Sequence, residues 1–136
     1  MTAKKSLLLC LAFAAFLLPS SCTLFEIVTM EERVDYFITD LNSGDESVRL
    51  SMDRHFYSRS SAVGGSLSDP AFWNAHFPLG EEYRLENANV DDDFTADLFS
   101  TVTYAGGAEL RFSMYLFDQT WYIRELVLNG TVLVKR

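Results

Sequence analysis

Few side chains in this sequence have the type and spacing that chemistry requires. His55 and His76 are its two histidines, and each falls near the end of a predicted helix. An imidazolium there would face the negative end of the helix dipole, which favours capping or surface roles over acid–base work. Three consecutive aspartates at 91–93 lack the glycine and distal glutamate of a calcium loop and predict a solvated corner.

The motifs of several common reaction classes are missing from the sequence. It contains no glycine-rich phosphate loop, no Ser/His/Asp spacing and no HExxH zinc motif. Cys10 and Cys22 are its two cysteines, and Cys10 lies inside an apolar leader. One remaining cysteine excludes a disulfide framework and a thiolate zinc site. The sequence therefore predicts no cofactor and no metal.

One carboxylate falls within an apolar strand pattern. Alternation along residues 120–128 places Glu125 on the apolar face of the predicted strand. A β-bulge near Glu125 would shift the register, and the apolar Leu126 and Leu128 favour this interpretation. The alternative is that Glu125 faces the core with a raised pKa, as a catalytic acid in a pocket would.

The first 21 residues have the parts of an export signal. Lys4 and Lys5 form a positive start, and the run 7–18 is uncharged and apolar. As a helix this run would span about 18 Å, short of the roughly 30 Å hydrocarbon core of a bilayer. A removable leader is therefore predicted rather than a permanent membrane helix.

The end of the leader, residues 18–22, resembles a bacterial lipobox because two serines precede Cys22. Pro19 stands where most lipoboxes carry leucine. The resemblance implies cleavage before Cys22, lipid on its sulfur, an anchor segment over 22–28, and a place in the cell envelope at the periplasmic or outer face of a membrane. The alternative is an ordinary signal peptidase site that leaves Cys22 as a free thiol, which is a liability in an oxidising compartment.

Charge limits the choice of partners. Loss of Lys4 and Lys5 with the leader leaves nine basic against 19 acidic residues, a net charge of −10. Nucleic acid is therefore not expected as a partner, and an anionic membrane surface would repel the domain.

Helices are predicted in the first half of the mature chain. Thr29 and Glu32 match a capping box ahead of one apolar stripe, and Gly44 suits the C-terminal cap. Asp45 would cap a second helix running to Phe56, with Arg49 on its outer side. A mobile loop, either a lid or disordered, is predicted at 57–68. A third helix, capped by an aspartate before a proline, is predicted at 69–77, and a strand at 81–90.

The second half predicts an antiparallel meander. Aromatic and β-branched residues fill four segments, at 94–104, 108–117, 120–128 and 131–134. Gly106 and Gly107 form the first turn. Tyr115 and Phe117 break the polar face of the second segment, as if something covers them.

Helices followed by long antiparallel strands, with the tail Trp121-Tyr-Ile123, resemble the NTF2-like, or cystatin-like, α+β cone over residues 29–136. That resemblance implies a pocket between the curved sheet and the helices. Five residues are predicted as possible pocket lining: Tyr57, Trp73, Tyr104, Trp121 and Glu125. Aromatic residues such as those in this set form part of a hydrophobic core more often than they line a ligand site.

The function predicted on this basis is a lipid-anchored, non-catalytic binding domain for a small apolar ligand or an envelope protein. The alternative is an enzyme of the same fold with Glu125, His76 or Tyr57 as acid–base groups. A third class, a purely structural envelope component, would have a collapsed core without a cavity.

Overall fold

The computed structural model describes residues 27–91, 99–104 and 107–136. The predicted signal peptide, Cys22, the start of the strand predicted from Phe94 and the Gly106 half of the first turn lie outside these ranges. So does the side chain of Tyr104. The described elements form one antiparallel sheet with helices, so the chain has an α+β fold.

Helix α1, Met30–Asn42, begins with the predicted capping box. Thr29 Oγ1 accepts from the amide of Glu32 at 3.2 Å, and the Glu32 carboxylate accepts from the amide of Thr29 at 2.9 Å. The apolar stripe of the helix is buried. Gly44, just beyond the helix, has a φ of 69°, so the predicted cap is confirmed.

The second predicted helix is not continuous. Helix α2 covers Glu46–Arg49, with Asp45 as its cap, and a 3-10 turn follows at Met52–His55. Arg49, predicted to lie outside, is only 1% exposed, so that prediction is wrong. The break changes the direction of the chain, which lets Arg49 point inward and still leaves Phe56 in the core. Apolar residues spaced by four do not distinguish this arrangement from one long helix.

The predicted mobile loop contains a short strand, β1, at Ser61–Ala62. Helix α3 then covers Pro70–His76, with the Asp69 carboxylate accepting from the amide of Ala71 at 3.0 Å. Phe72 and Trp73 are buried as predicted.

The sheet has the order β1-β6-β5-β4-β3-β2, and neighbouring strands are antiparallel. Its other strands are β2 (Ala88–Asp91), β3 (Phe99–Tyr104), β4 (Leu110–Phe117), β5 (Thr120–Leu128) and β6 (Thr131–Lys135). The strand predicted over 81–90 is thus reduced to β2, and residues 81–87 are irregular.

The predicted β-bulge is present in β5. Ser113 pairs with Glu125 and Met114 pairs with Ile123, which makes Arg124 the extra residue. Ile123 and the residue after Glu125, Leu126, are both fully buried. Glu125 is half-buried, and strand alternation turns it away from the face of Leu126.

The free edge of β5 next to the bulge is closed by groups from outside the sheet. The amide of Trp121 donates to the Val28 carbonyl at 3.1 Å. Its carbonyl accepts from Arg33 Nε at 2.9 Å, and Ile123 accepts from the amide of Tyr57 at 2.8 Å. An exposed edge would invite pairing with other chains, and these bonds remove it. They also explain why Arg33 is buried.

Candidate functional site

A cavity of about 340 Å³ opens where the irregular segment 77–86 passes the ends of β4 and β5. Its apolar lining consists of Phe77, Pro78, Tyr83, Leu85, Ala108, Leu110 and Leu128. The polar lining consists of His76, Glu81, Glu82, Arg84, Glu86 and Asn129. This carboxylate-rimmed cavity is within the size range of small-molecule sites.

The rim of this cavity carries an excess of negative charge. Arg84 lies 2.8 Å from the Glu82 carboxylate, which leaves Glu81 and Glu86 as the excess acids of the rim. Burial, followed by the nearby Glu81, raises the pKa of Tyr83. Its hydroxyl therefore stays protonated and donates to the Pro78 carbonyl at 2.8 Å. The cavity offers an apolar floor beside carboxylates, an arrangement that suits a cation on an apolar stem.

A second cavity, of about 280 Å³, lies against α1 and is lined by ionisable side chains from α1 and from the 3-10 turn. Its lining consists of Val28, Arg33, Tyr36, Thr39, Asp40, Arg54 and His55. Asp40 Oδ2 lies 2.5 Å from His55 Nε2 and also pairs with Arg54. This helix cavity thus contains an aspartate–histidine pair, the type of group that acid–base enzymes use.

His55 is buried in the core, so its predicted capping or surface role is wrong. Its side chain is 2% exposed, and its ring packs edge-on to Phe37 at 6.0 Å. Nε2 is bonded to Asp40, while Nδ1 is buried and has no hydrogen-bond partner among the described residues. Neither ring nitrogen is therefore presented to a molecule in the helix cavity, and the pair is not arranged for proton transfer to a substrate.

The environment of His55 disfavours its charged form. Burial lowers the pKa of His55, and the hydrogen bond to Asp40 and its charge oppose this in part, while the charges of Arg33 and Arg54 lower it further. The neutral ring donates through Nε2 to the Asp40 carboxylate. Protonation would place a second N–H at the buried Nδ1, where no acceptor is provided among the described residues.

We expect this histidine to make the fold sensitive to mild acid. Because its pKa is lower in the folded than in the unfolded chain, the unfolded chain binds the proton first as the pH falls through about 6.5. The contribution of the neutral His55 to the free energy of unfolding is therefore fully present above that pH and is lost as the pH falls below it. The free energy of unfolding should fall between about pH 7.5 and pH 5, and less so in His55→Gln, whose amide can still donate to Asp40. Urea unfolding at the two pH values measures this difference.

His76→Gln is the matched control, because His76 is half-buried at the cavity rim and edge-on to Phe72 at 5.1 Å. It should retain the pH dependence that His55 contributes. An unchanged pH dependence in His55→Gln would show that His55 is not its source.

Four of the five predicted lining residues, Tyr57, Trp73, Trp121 and Glu125, line neither of these two cavities, and the side chain of Tyr104 lies outside the described residues. Trp73 is fully buried in the core, and Trp121 packs partly buried against it. Tyr57 packs against Tyr115 with the rings tilted and their centres 4.6 Å apart, which supplies the predicted cover over that ring. Glu125 lies in the bulge register opposite Ser113.

Sequence reasoning missed Asp40, Arg33 and the acidic segment 81–86. The positions of Asp40 and Arg33 in the sequence could have indicated their role. Each lies three or four residues from Phe37, at the border of the buried stripe of α1, where a polar side chain is partly buried. The position of the acidic segment at a cavity was not recognised, because the segment was predicted to be part of a strand.

Comparison with known families, curated proteins and solved structures found no match to this chain. Within residues 27–91, 99–104 and 107–136, no helix is long and apolar enough to cross a membrane. The same ranges contain no cluster of three or more histidine, cysteine, aspartate or glutamate side chains able to hold a metal ion.

Proposed function

We propose that the chain is a lipid-anchored cell-envelope protein whose NTF2-like domain binds a ligand without catalysing a reaction. The anchor is supported by the leader and by the two serines before Cys22. An acylated Cys22 would hold the protein at a membrane, since each buried CH₂ contributes about 0.8 kcal/mol and two or more chains make attachment long-lived.

The binding role is carried by one observation, the carboxylate-rimmed cavity with its apolar floor. We assign it a ligand that combines a short apolar stem with a positive charge, presented either by a small molecule or by a side chain of an envelope protein. Glu81 and Glu86 would meet the charge, and Leu110 and Leu128 the stem. The sequence predicts a small apolar ligand, and the carboxylates at the cavity rim add a positive charge to that expected ligand.

The enzyme alternative is disfavoured by the positions of its candidate groups. His76 lines the carboxylate-rimmed cavity beside Leu128, whereas Tyr57 is bonded to Ile123, five residues earlier in β5. Five residues of strand correspond to about 17 Å, so His76 and Tyr57 lie toward opposite ends of β5. The aspartate–histidine pair has no ring nitrogen available to a substrate.

The anchor is tested by intact mass of the membrane-extracted protein, natural sequence beside Cys22→Ser. The natural protein should begin at Cys22 and carry added acyl mass, and the variant should lack that mass and leave the membrane fraction. If the natural protein has an unmodified mass and is freely soluble, the lipid anchor is contradicted. The ligand of the cavity is tested separately, so that result would not affect it.

The ligand class is tested with 1-aminohexane, which has an apolar stem and a positive charge, against hexanoate, which has the same kind of stem and the opposite charge. Chemical shifts of the amides along 81–86 and in Leu128 should move with the amine and not with the acid. Glu86→Gln should weaken amine binding about two- to fivefold at low salt, the range of an exposed ion pair. Glu31→Gln, an exposed acid on α1, is the control and should have no effect.

A further inference from the structure

An aromatic and apolar surface lies at the end of the sheet opposite the carboxylate-rimmed cavity. We call it the anchor-side surface; its members are Ile27, Tyr57, Tyr115, Phe117 and Tyr122. Ile27 and Phe117 are 59% and 54% exposed, and the three tyrosines are half-buried. Leu50 and Val132 are exposed elsewhere, but Phe117 is the most exposed aromatic side chain that the structure describes, and it lies next to other aromatic rings. Contiguous exposed apolar groups of this kind mark binding surfaces.

The rings of this surface are joined into one group. Tyr57 packs on Tyr115 at 4.6 Å and on Phe117 at 6.2 Å between ring centres. Tyr115 and Tyr122 are direct partners across β4 and β5. A continuous aromatic cluster therefore covers this end of the sheet.

Two arginines lie over the cluster. The guanidinium of Arg33 is 5.0 Å from the centre of the Tyr122 ring, and that of Arg136 is 6.0 Å from the centre of the Tyr57 ring. Asp118 and Glu32 lie at the same end, so the surface is not simply basic. Its distinguishing feature is a group of tyrosine rings, a residue type enriched at membrane–water interfaces, with the exposed Arg136 at its border, whereas Arg33 is buried.

The N-terminal end of the described chain meets this surface. The Val28 carbonyl accepts from the amide of Trp121 at 3.1 Å, and Trp121 follows directly on Thr120, the partner of Phe117. Cys22 precedes Ile27 by five residues, which even fully extended span only about 17 Å. A lipid on Cys22 would therefore hold the Val28 end of the sheet within about 17 Å of the bilayer.

From this placement we propose that the anchor-side surface seats on the phospholipid bilayer into which the lipid of Cys22 inserts, with Phe117 and Ile27 entering the interfacial layer. The proposal rests on the lipid anchor of the proposed function. The domain would then be oriented at the bilayer by the aromatic rings of the anchor-side surface rather than held away from the bilayer by its charge. The carboxylate-rimmed cavity then faces away from the membrane, at the other end of strands that are about 25 Å long.

The test places a tryptophan at each end of the lipidated full-length protein. Phe117→Trp keeps an aromatic ring on the anchor-side surface, and Leu79→Trp, at a site 40% exposed, marks the segment by the cavity. Each protein is reconstituted into zwitterionic phosphatidylcholine vesicles, which do not repel the acidic domain, with or without brominated acyl chains, which quench tryptophan at close range. Emission of the natural protein, from Trp73 and Trp121, is subtracted.

The added emission of Phe117→Trp should be lost in brominated vesicles, and that of Leu79→Trp should persist. Equal emission from both sites in a protein shown by mass to be acylated would overturn the bilayer seat and leave the anchor standing; the surface would then belong to a protein partner or a second copy. A chain without acyl mass that does not float with vesicles would overturn both the anchor and the seat.

Discussion

Replacing Arg49 with methionine is expected to lower the free energy of unfolding by about 3 to 5 kcal/mol, because it removes a charged donor that bonds to three buried or half-buried acceptors. Arg49 Nη1 donates to the Phe77 carbonyl at 2.5 Å and to Asn74 Oδ1 at 2.7 Å, and Nη2 donates to the Leu41 carbonyl at 3.1 Å. Methionine fills a similar volume without any donor. The effect therefore comes from unsatisfied polar groups rather than from a cavity.

The position of these acceptors explains why an arginine is needed. Leu41 is in the last turn of α1, and Phe77 is the C-terminal cap of α3, so both helices direct carbonyls toward the guanidinium. One planar group with several donors satisfies both helix ends at once. Burial lowers the pKa of Arg49, yet an arginine remains charged at any ordinary pH. Its charge then also offsets the negative ends of two helix dipoles.

Urea unfolding of Arg49→Met beside Arg84→Met measures this effect. Arg84 is 72% exposed and pairs with Glu82 two residues away, so its loss should change stability by less than about 1 kcal/mol. Arg49→Lys, which keeps a charge but cannot reach both helix ends, should fall between the two. A loss in Arg49→Met no larger than that in Arg84→Met would show that the buried carbonyls find water instead.

Structural features were predicted correctly where the interacting residues lie within a few positions of each other in the sequence. The capping box of Thr29, the aspartate caps and the bulge near Glu125 each depend on neighbours in sequence or on strand alternation, and all are present. The order of the helical segments and of strands β2 to β6 followed from the same local patterns, whereas β1 and the break before the 3-10 turn did not.

Features that depend on long-range partners were not predictable in this way. Arg49 meets Phe77 across 28 residues, and Arg33 meets Trp121 across 88. His55 looked like an exposed cap because its burial depends on a helix break and on packing against Phe37. A charged or titratable residue in an amphipathic segment is read as external by default, and only tertiary contacts can reverse that assignment.

The ring of Phe37 is the centre of the core, and its removal is expected to be as costly as that of Arg49. It is fully buried and makes edge-on contacts, at 5.6–6.4 Å between ring centres, with His55, Phe56, Trp73, Phe77 and Phe112. These partners come from the 3-10 turn, from α3 and from β4, so one ring joins the helices to the sheet. Phe37→Ala should lower the free energy of unfolding by about 3 to 5 kcal/mol.

Tyr36→Ala is the matched control, since Tyr36 precedes Phe37 in the same helix and is 42% exposed. It should cost less than about 1 kcal/mol, and Phe37→Leu should fall in between because it retains most of the volume. Phe37→Ala should also weaken the acid sensitivity assigned to His55, because water in the space left by the ring can reach the imidazole and bring its pKa back toward the ordinary value. A large loss of stability with unchanged acid sensitivity would show that the pKa of His55 is lowered by Arg33 and Arg54 rather than by burial against Phe37.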